Sequence, residues 1–116
     1  SAKRYSSAYY LAGLSVELAL KAVIAQQFER HAIPDPKLAR DTYQHDLNHL
    51  FRVAQIAHMF DQALKADASL DSNWAIVSRW RIDSRYEISK AVRARTMVDA
   101  VAEQPFGVLE WIKKHW

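Results

Sequence analysis

The segment Tyr5–Ala25, YSSAYYLAGLSVELALKAVIA, constrains the fold more than any other part of this chain. Apolar residues fall on nearly every side at helical spacing, yet Glu17 and Lys21 sit one turn apart in the middle. A helix that is apolar all round has to be enclosed by other helices. Charges inside it are costly unless they are paired or used. The run from Ala8 to Ala25 approaches membrane-spanning length, but two charges near its centre favour a buried helix over a membrane span.

The rest of the chain supplies the enclosing helices. Its 116 residues correspond to one domain, 1–116, and half of them are apolar, enough for a core. Two glycines and three prolines leave little turn chemistry, so the composition is helical. There is no cysteine, which excludes a disulfide framework and thiolate metal sites and fits a reducing compartment. A cytoplasmic location is expected. No signal peptide is visible, and the opening at Ser1 without methionine reads as an excised or trimmed domain.

The spacing predicts a first helix from Tyr5 to His31, ended by Ile33-Pro34-Asp35-Pro36, and a polar loop over Lys37–Gln44. A second helix starts at His45-Asp46 and carries the stripe Leu47, Leu50, Phe51, Ala54, Ala57, Met59, Phe60 and Leu64. Asp67–Ser72 reads as a loop. A short third helix shows Trp74, Val77 and Trp80 on one side. A bend over residues 83–87 leads to a fourth helix, capped by Ser89 and running to Glu103. Pro105 breaks the chain before a last helix over Phe106–Trp116, with Val108, Leu109 and Ile112 inward. No strand alternation, repeat or low-complexity tract is present. The expected fold is all-α, an antiparallel bundle of four to five helices.

Charge is unevenly placed. Arg79–Arg95 holds six cations and two anions, a net +4 that leaves −1 for the remainder of a chain totalling +3. A cationic segment on a near-neutral body points to an anionic partner.

Three motifs in this order resemble the HEPN family (higher eukaryotes and prokaryotes nucleotide-binding). Residues 7–13 (SAYYLAG) through 16–21 (VELALK) look like its first core helix. His45-Asp46-Leu47 with Leu50 resembles its second signature, and Ser84-Arg85-Tyr86 its third. The match extends from about residue 4 to the end. The resemblance implies a HEPN-like helical bundle, frequently a homodimer, tied to nucleotides or RNA. It also implies a minimal nucleotidyltransferase partner in a toxin–antitoxin pair. Many relatives are ribonucleases whose active site is an arginine followed, four to six residues later, by a histidine, with two such sites meeting across a dimer interface. No histidine stands at that distance within Arg79–Arg95. Literal matches occur at Arg40/His45 and Arg52/His58, where about one is expected by chance from nine arginines and five histidines. On one continuous helix Arg52 and His58 would lie about 240° apart and point away from each other.

Two uses compete at each remaining feature. Glu17 and Lys21 are either an (i, i+4) ion pair or, with Tyr10 and Gly13, the lining of a groove in which Lys21 holds a phosphate and Glu17 orients it or a neighbouring arginine. Arg79, Arg81, Arg85 and Tyr86 flank the bend. They form either a solvated face or guanidinium forks on phosphate, with Tyr86 or Trp80 offering a stacking surface. His45-Asp46-Leu47-Asn48-His49 has two imidazoles at zinc-helix spacing but no third ligand, so His45 or Asp46 is read as a helix cap and no metal is expected. The four tryptophans are core or interface material, with Trp116 exposed or against another subunit. No glycine-rich phosphate loop or Ser-His-Asp order is present, and no cofactor is expected.

The expected function is therefore binding of nucleotide or RNA phosphates by Glu17, Lys21, Arg81, Arg85 and Tyr86, in a homodimer without membrane contact. The alternatives are a metal-independent ribonuclease toxin, using Arg85 with a displaced histidine or Glu17, and a non-catalytic dimerisation or docking module.

Overall fold

The computed structural model of the protein describes residues 2–31, 37, 40, 44–86 and 90–116, with the side chains of 2, 28–31, 85 and 86 outside the description. Among the described residues the fold is all-helical, with no strand. Six α-helices follow in order: α1 (Ala2–His31), α2 (Leu47–Val53), α3 (Ala57–Ala66), α4 (Ala68–Val77), α5 (Ala91–Ala102) and α6 (Val108–Lys113). A 3₁₀ turn, Ile82–Tyr86, joins α4 to α5.

At 1.5 Å per residue the 30 residues of α1 span about 45 Å, which accounts for the long axis of a molecule measuring 47 × 32 × 17 Å. α5, the 3₁₀ turn, α2 and α6 all pack on α1, while α4 bridges α3, α5 and α6. The buried face of α1 is Tyr9, Val16, Leu20, Val23 and Ile24, and it meets Leu50, Met97, Val108 and Ile112 in one core. Phe51 and Phe60 stack at 4.3 Å, and Trp74 stands edge-on to both at 5.3 and 5.1 Å. Trp111 closes against Phe60 at 4.8 Å. These contacts tie α2, α3, α4 and α6 together through rings that bury large apolar areas.

Several expectations need correction. α1 is not enclosed: a thickness of 17 Å leaves room for two layers only, and Leu11 and Leu18 on its outer face remain 57% and 56% exposed. By length and composition α1 is also, over Lys3–Gln27, apolar enough to cross a membrane. Among the described residues six α-helices are delimited where four to five were expected, because the second expected helix is two. Gln55 adopts φ 62°, and the amide of Ile56 donates back to the carbonyl of Phe51 at 3.2 Å, ending α2 as a Schellman-type closure. Met59, placed on the inward stripe, is 44% exposed as a result. The expected loop Asp67–Ser72 is mostly the first turn of α4: the Asp67 carboxylate accepts from the amides of Ser69 and Leu70 at 2.9 and 3.1 Å. Lys37 and Arg40, expected in a loop, are helical and exposed. α5 starts after Lys90, whose side chain makes no capping bond, and the expected cap Ser89 lies outside the described residues. The last helix spans only Val108–Lys113, with Val108 and Ile112 buried and Leu109 half-buried.

Candidate functional site

Tyr10, Gly13, Glu17 and Lys21 recur at three- and four-residue steps and so share one flank of α1. Gly13 is required there: a methyl group at its Cα would overlap the indole ring of Trp80. That ring is 1% exposed and donates from Nε1 to the carbonyl of Tyr10 at 3.2 Å. The close approach seats the end of α4 on α1 one helical turn before Glu17. The turn that follows is closed by Ser84, which is 1% exposed: its Oγ accepts from the Arg81 amide at 3.0 Å and its own amide donates to the Arg81 carbonyl at 2.9 Å. The exposed Arg81 guanidinium donates from Nη1 to the carbonyls of Ser78 and Trp80 at 3.2 and 3.0 Å. It thus satisfies acceptors that the end of α4 leaves open. Arg79 and Arg81 form no ion pair with a carboxylate among the described residues.

Glu17 is 2% exposed, and both its oxygens are taken. His45 Nδ1 lies 2.8 Å from Oε1 and Lys21 Nζ lies 3.5 Å from Oε2. A carboxylate only accepts, so Nδ1 carries the hydrogen, and Nε2 of the neutral ring is left as an acceptor. The His45 ring is about half exposed and the Lys21 side chain about a quarter. Glu17 is an internal anchor whose two oxygens orient a lysine and a histidine. His45 is the residue that sequence reasoning assigned elsewhere, as a cap. The signal for it was the burial expected of Glu17, since a buried carboxylate needs more donors than one lysine supplies.

Of the five expected binding residues, Glu17 and Lys21 are in contact and Arg81 stands beyond Trp80. Arg85 and Tyr86 belong to the 3₁₀ turn, with side chains outside the description. Asp46 is the cap of α2, accepting from the His49 amide at 3.3 Å. The Nε2 of His49 is buried without a hydrogen-bond partner among the described residues. Among those residues no group of three or more His, Asp or Glu side chains converges. Arg52 and His58 are both exposed and fall on separate helices, α2 and α3. Arg40 is exposed, and residues 41–43 between it and His45 lie outside the description.

Two grooves flank this region. One, of about 300 Å³, lies between α1, α4 and α5 and is lined by Tyr9, Ile76, Arg79, Arg93 and Thr96. The other, of about 250 Å³, is lined in part by Gln27, Gln55 and His115. Burial, and secondarily the neighbouring Lys114, lower the pKa of His115 below its ordinary value. Compared with protein-family models, with curated proteins and with solved structures, the chain matches none.

Proposed function

We propose that this chain is a HEPN-like helical domain that binds the phosphates of a nucleotide or RNA through Lys21, Arg81, Arg85 and Tyr86. In this reading Glu17 acts indirectly by holding Lys21, and the protein is cytoplasmic and homodimeric. The order of its three sequence signatures supports the family and, with it, a nucleotidyltransferase partner of toxin–antitoxin type. One observation carries the binding: Arg81 stays exposed beyond the end of α4 with no carboxylate partner among the described residues. Guanidinium groups already neutralised by the protein would have little to offer a polyanion. Among the described residues Arg81 engages only Nη1, on the Ser78 and Trp80 carbonyls, and keeps its charge and remaining donors for phosphate oxygens. Leu11 and Leu18, more than half exposed on α1, support pairing of two copies.

The test is RNA binding measured across a salt series. Wild-type affinity is expected to fall linearly in log–log form. Arg81→Ala and Lys21→Ala are each expected to reduce the slope by about one unit. Unchanged slopes in both variants would remove the site.

The Glu17–His45 contact at 2.8 Å favours a second reading, a metal-independent ribonuclease. His45 Nε2 would take the proton of a ribose 2′-hydroxyl, whose oxygen attacks the adjacent phosphorus. The 5′-oxygen then leaves, taking a proton from the His45 imidazolium through a water, which gives a 2′,3′-cyclic phosphate and returns His45 to its neutral form, while Arg85 offsets the phosphorane charge. Cleavage of RNA that is lost in His45→Ala, with binding retained, would select this reading. Binding without cleavage in the wild type selects the first.

A further inference from the structure

The groove between α1, α4 and α5 is separate from the Glu17–Lys21–His45 cluster. Tyr9 lies about 80° around α1 from Glu17, at 100° per residue, and the buried Trp80 occupies Gly13 between the two. We propose that this groove is a site for a phosphate monoester, such as a nucleoside monophosphate or the 5′-phosphate end of an RNA strand.

Four features support it. Two guanidinium groups, Arg79 from the end of α4 and Arg93 from the first turn of α5, line one opening, and among the described residues that line it none is a carboxylate. Arg79 has no ion-pair or hydrogen-bond partner for its side chain among the described residues. The Arg93 guanidinium lies flat against the protein, 4.0 Å from the centre of the Tyr9 ring. Stacking of this kind fixes the plane of the guanidinium and holds its charge beside the groove. Finally, Thr96 adds a hydroxyl, while Ile76 and Tyr9 add an apolar wall.

The volume of about 300 Å³ selects the ligand class. It is at the lower end of small-molecule sites, and apolar lining with a few convergent polar groups is what such sites share. A phosphate suits the open Arg79 fork beside the Arg93 charge, whereas a bare inorganic phosphate would leave the Ile76 wall unused. A monoester bearing a compact ring uses both.

The site rests on the nucleotide reading above only for the choice of probe. Calorimetric titration of the full chain with adenosine monophosphate, and with matched 5′-phosphorylated and 5′-hydroxyl oligonucleotides, tests it. Adenosine monophosphate and the phosphorylated strand are expected to bind more tightly than the hydroxyl strand. Arg79→Ala and Thr96→Val are each expected to weaken monophosphate binding, by about tenfold for the arginine. Arg95→Ala, which removes an equal charge from α5 outside the groove, is expected to leave it unchanged. Equal affinity for the two strands, or equal weakening by Arg79→Ala and Arg95→Ala, would overturn the proposal. A preference for the 5′-phosphorylated strand that survives Arg79→Ala would overturn this site while sparing the bend. Hydroxyl-strand binding unchanged in both Lys21→Ala and Arg81→Ala would remove the bend while sparing this site. Retained circular dichroism melts confirm that each variant folds.

Discussion

Glu17 shows how one side chain can be both structural and chemical. Its carboxylate is buried, while its two donors are in partial contact with water. Either donor alone still supports the charge, so the energy should be coupled rather than additive. Lys21→Ala and His45→Ala singly are each expected to cost about 1 kcal/mol in urea unfolding, but the double variant should exceed their sum by about 1–3 kcal/mol. Additivity would show that the carboxylate does not depend on the pair. The pair Glu17/Lys21 was legible from the sequence because (i, i+4) charges in an apolar helix have few other outcomes. His45 was not, because its contact spans 28 residues and no local pattern encodes it. His115 gives the pH dependence. Its pKa falls on folding, so the unfolded chain binds the proton more readily and stability rises with pH. The contribution is complete above the ordinary value of 6.5 and is lost as pH falls through the lower folded value. Melting temperatures measured from pH 8 to pH 5 should decline below 6.5, and His115→Gln should flatten that decline. A slope unchanged by the substitution would assign it to other groups.

At the level of elements, what could be read from the sequence was the periodic pattern, and what could not was the punctuation. α1 was visible along almost its whole length because its apolar run is uninterrupted and prolines follow it. The break between α2 and α3 was hidden, since a left-handed closing residue is ordinarily glycine or asparagine and here it is Gln55. That exception has a cost. A side chain at φ 62° is strained by about 1 kcal/mol, so Gln55→Gly should stabilise the protein by about 0.5–1 kcal/mol, partly offset by the greater freedom of glycine when unfolded. Thermal unfolding that shows no gain would mean the closure is not strained. Asp67 was misread for the opposite reason. A run of small and acidic residues looks like a loop, although an aspartate before it is also what starts a helix. The bend after α4 was legible in the sequence, but the contacts that close its first part were not. They come from Ser84 and from the Trp80 ring filling the space above Gly13, a contact made across 67 residues.

At the scale of the whole molecule, the expectation that a uniformly apolar helix must be enclosed is met on one side only. Leu11 and Leu18 stay open on a face of α1 where the helix presents no exposed charge between Tyr5 and Gln27. For the proposed homodimer, Leu18→Glu would place an uncompensated carboxylate from each copy in the joint, at about 3–5 kcal/mol apiece. Sedimentation should show a wild-type dimer and a folded monomeric variant. A wild type that is monomeric at micromolar concentration would remove the dimer from the proposed function. The central position of α1 also sets a problem during synthesis. Tyr10 meets Trp80, 70 residues downstream, and α5 and α6 come later still. At about 5–20 residues per second, the ribosome needs about 4–14 s to supply that covering. Throughout that interval the greasiest stretch of the nascent chain is outside the exit tunnel with nothing of its own to lean on, a natural client for a chaperone.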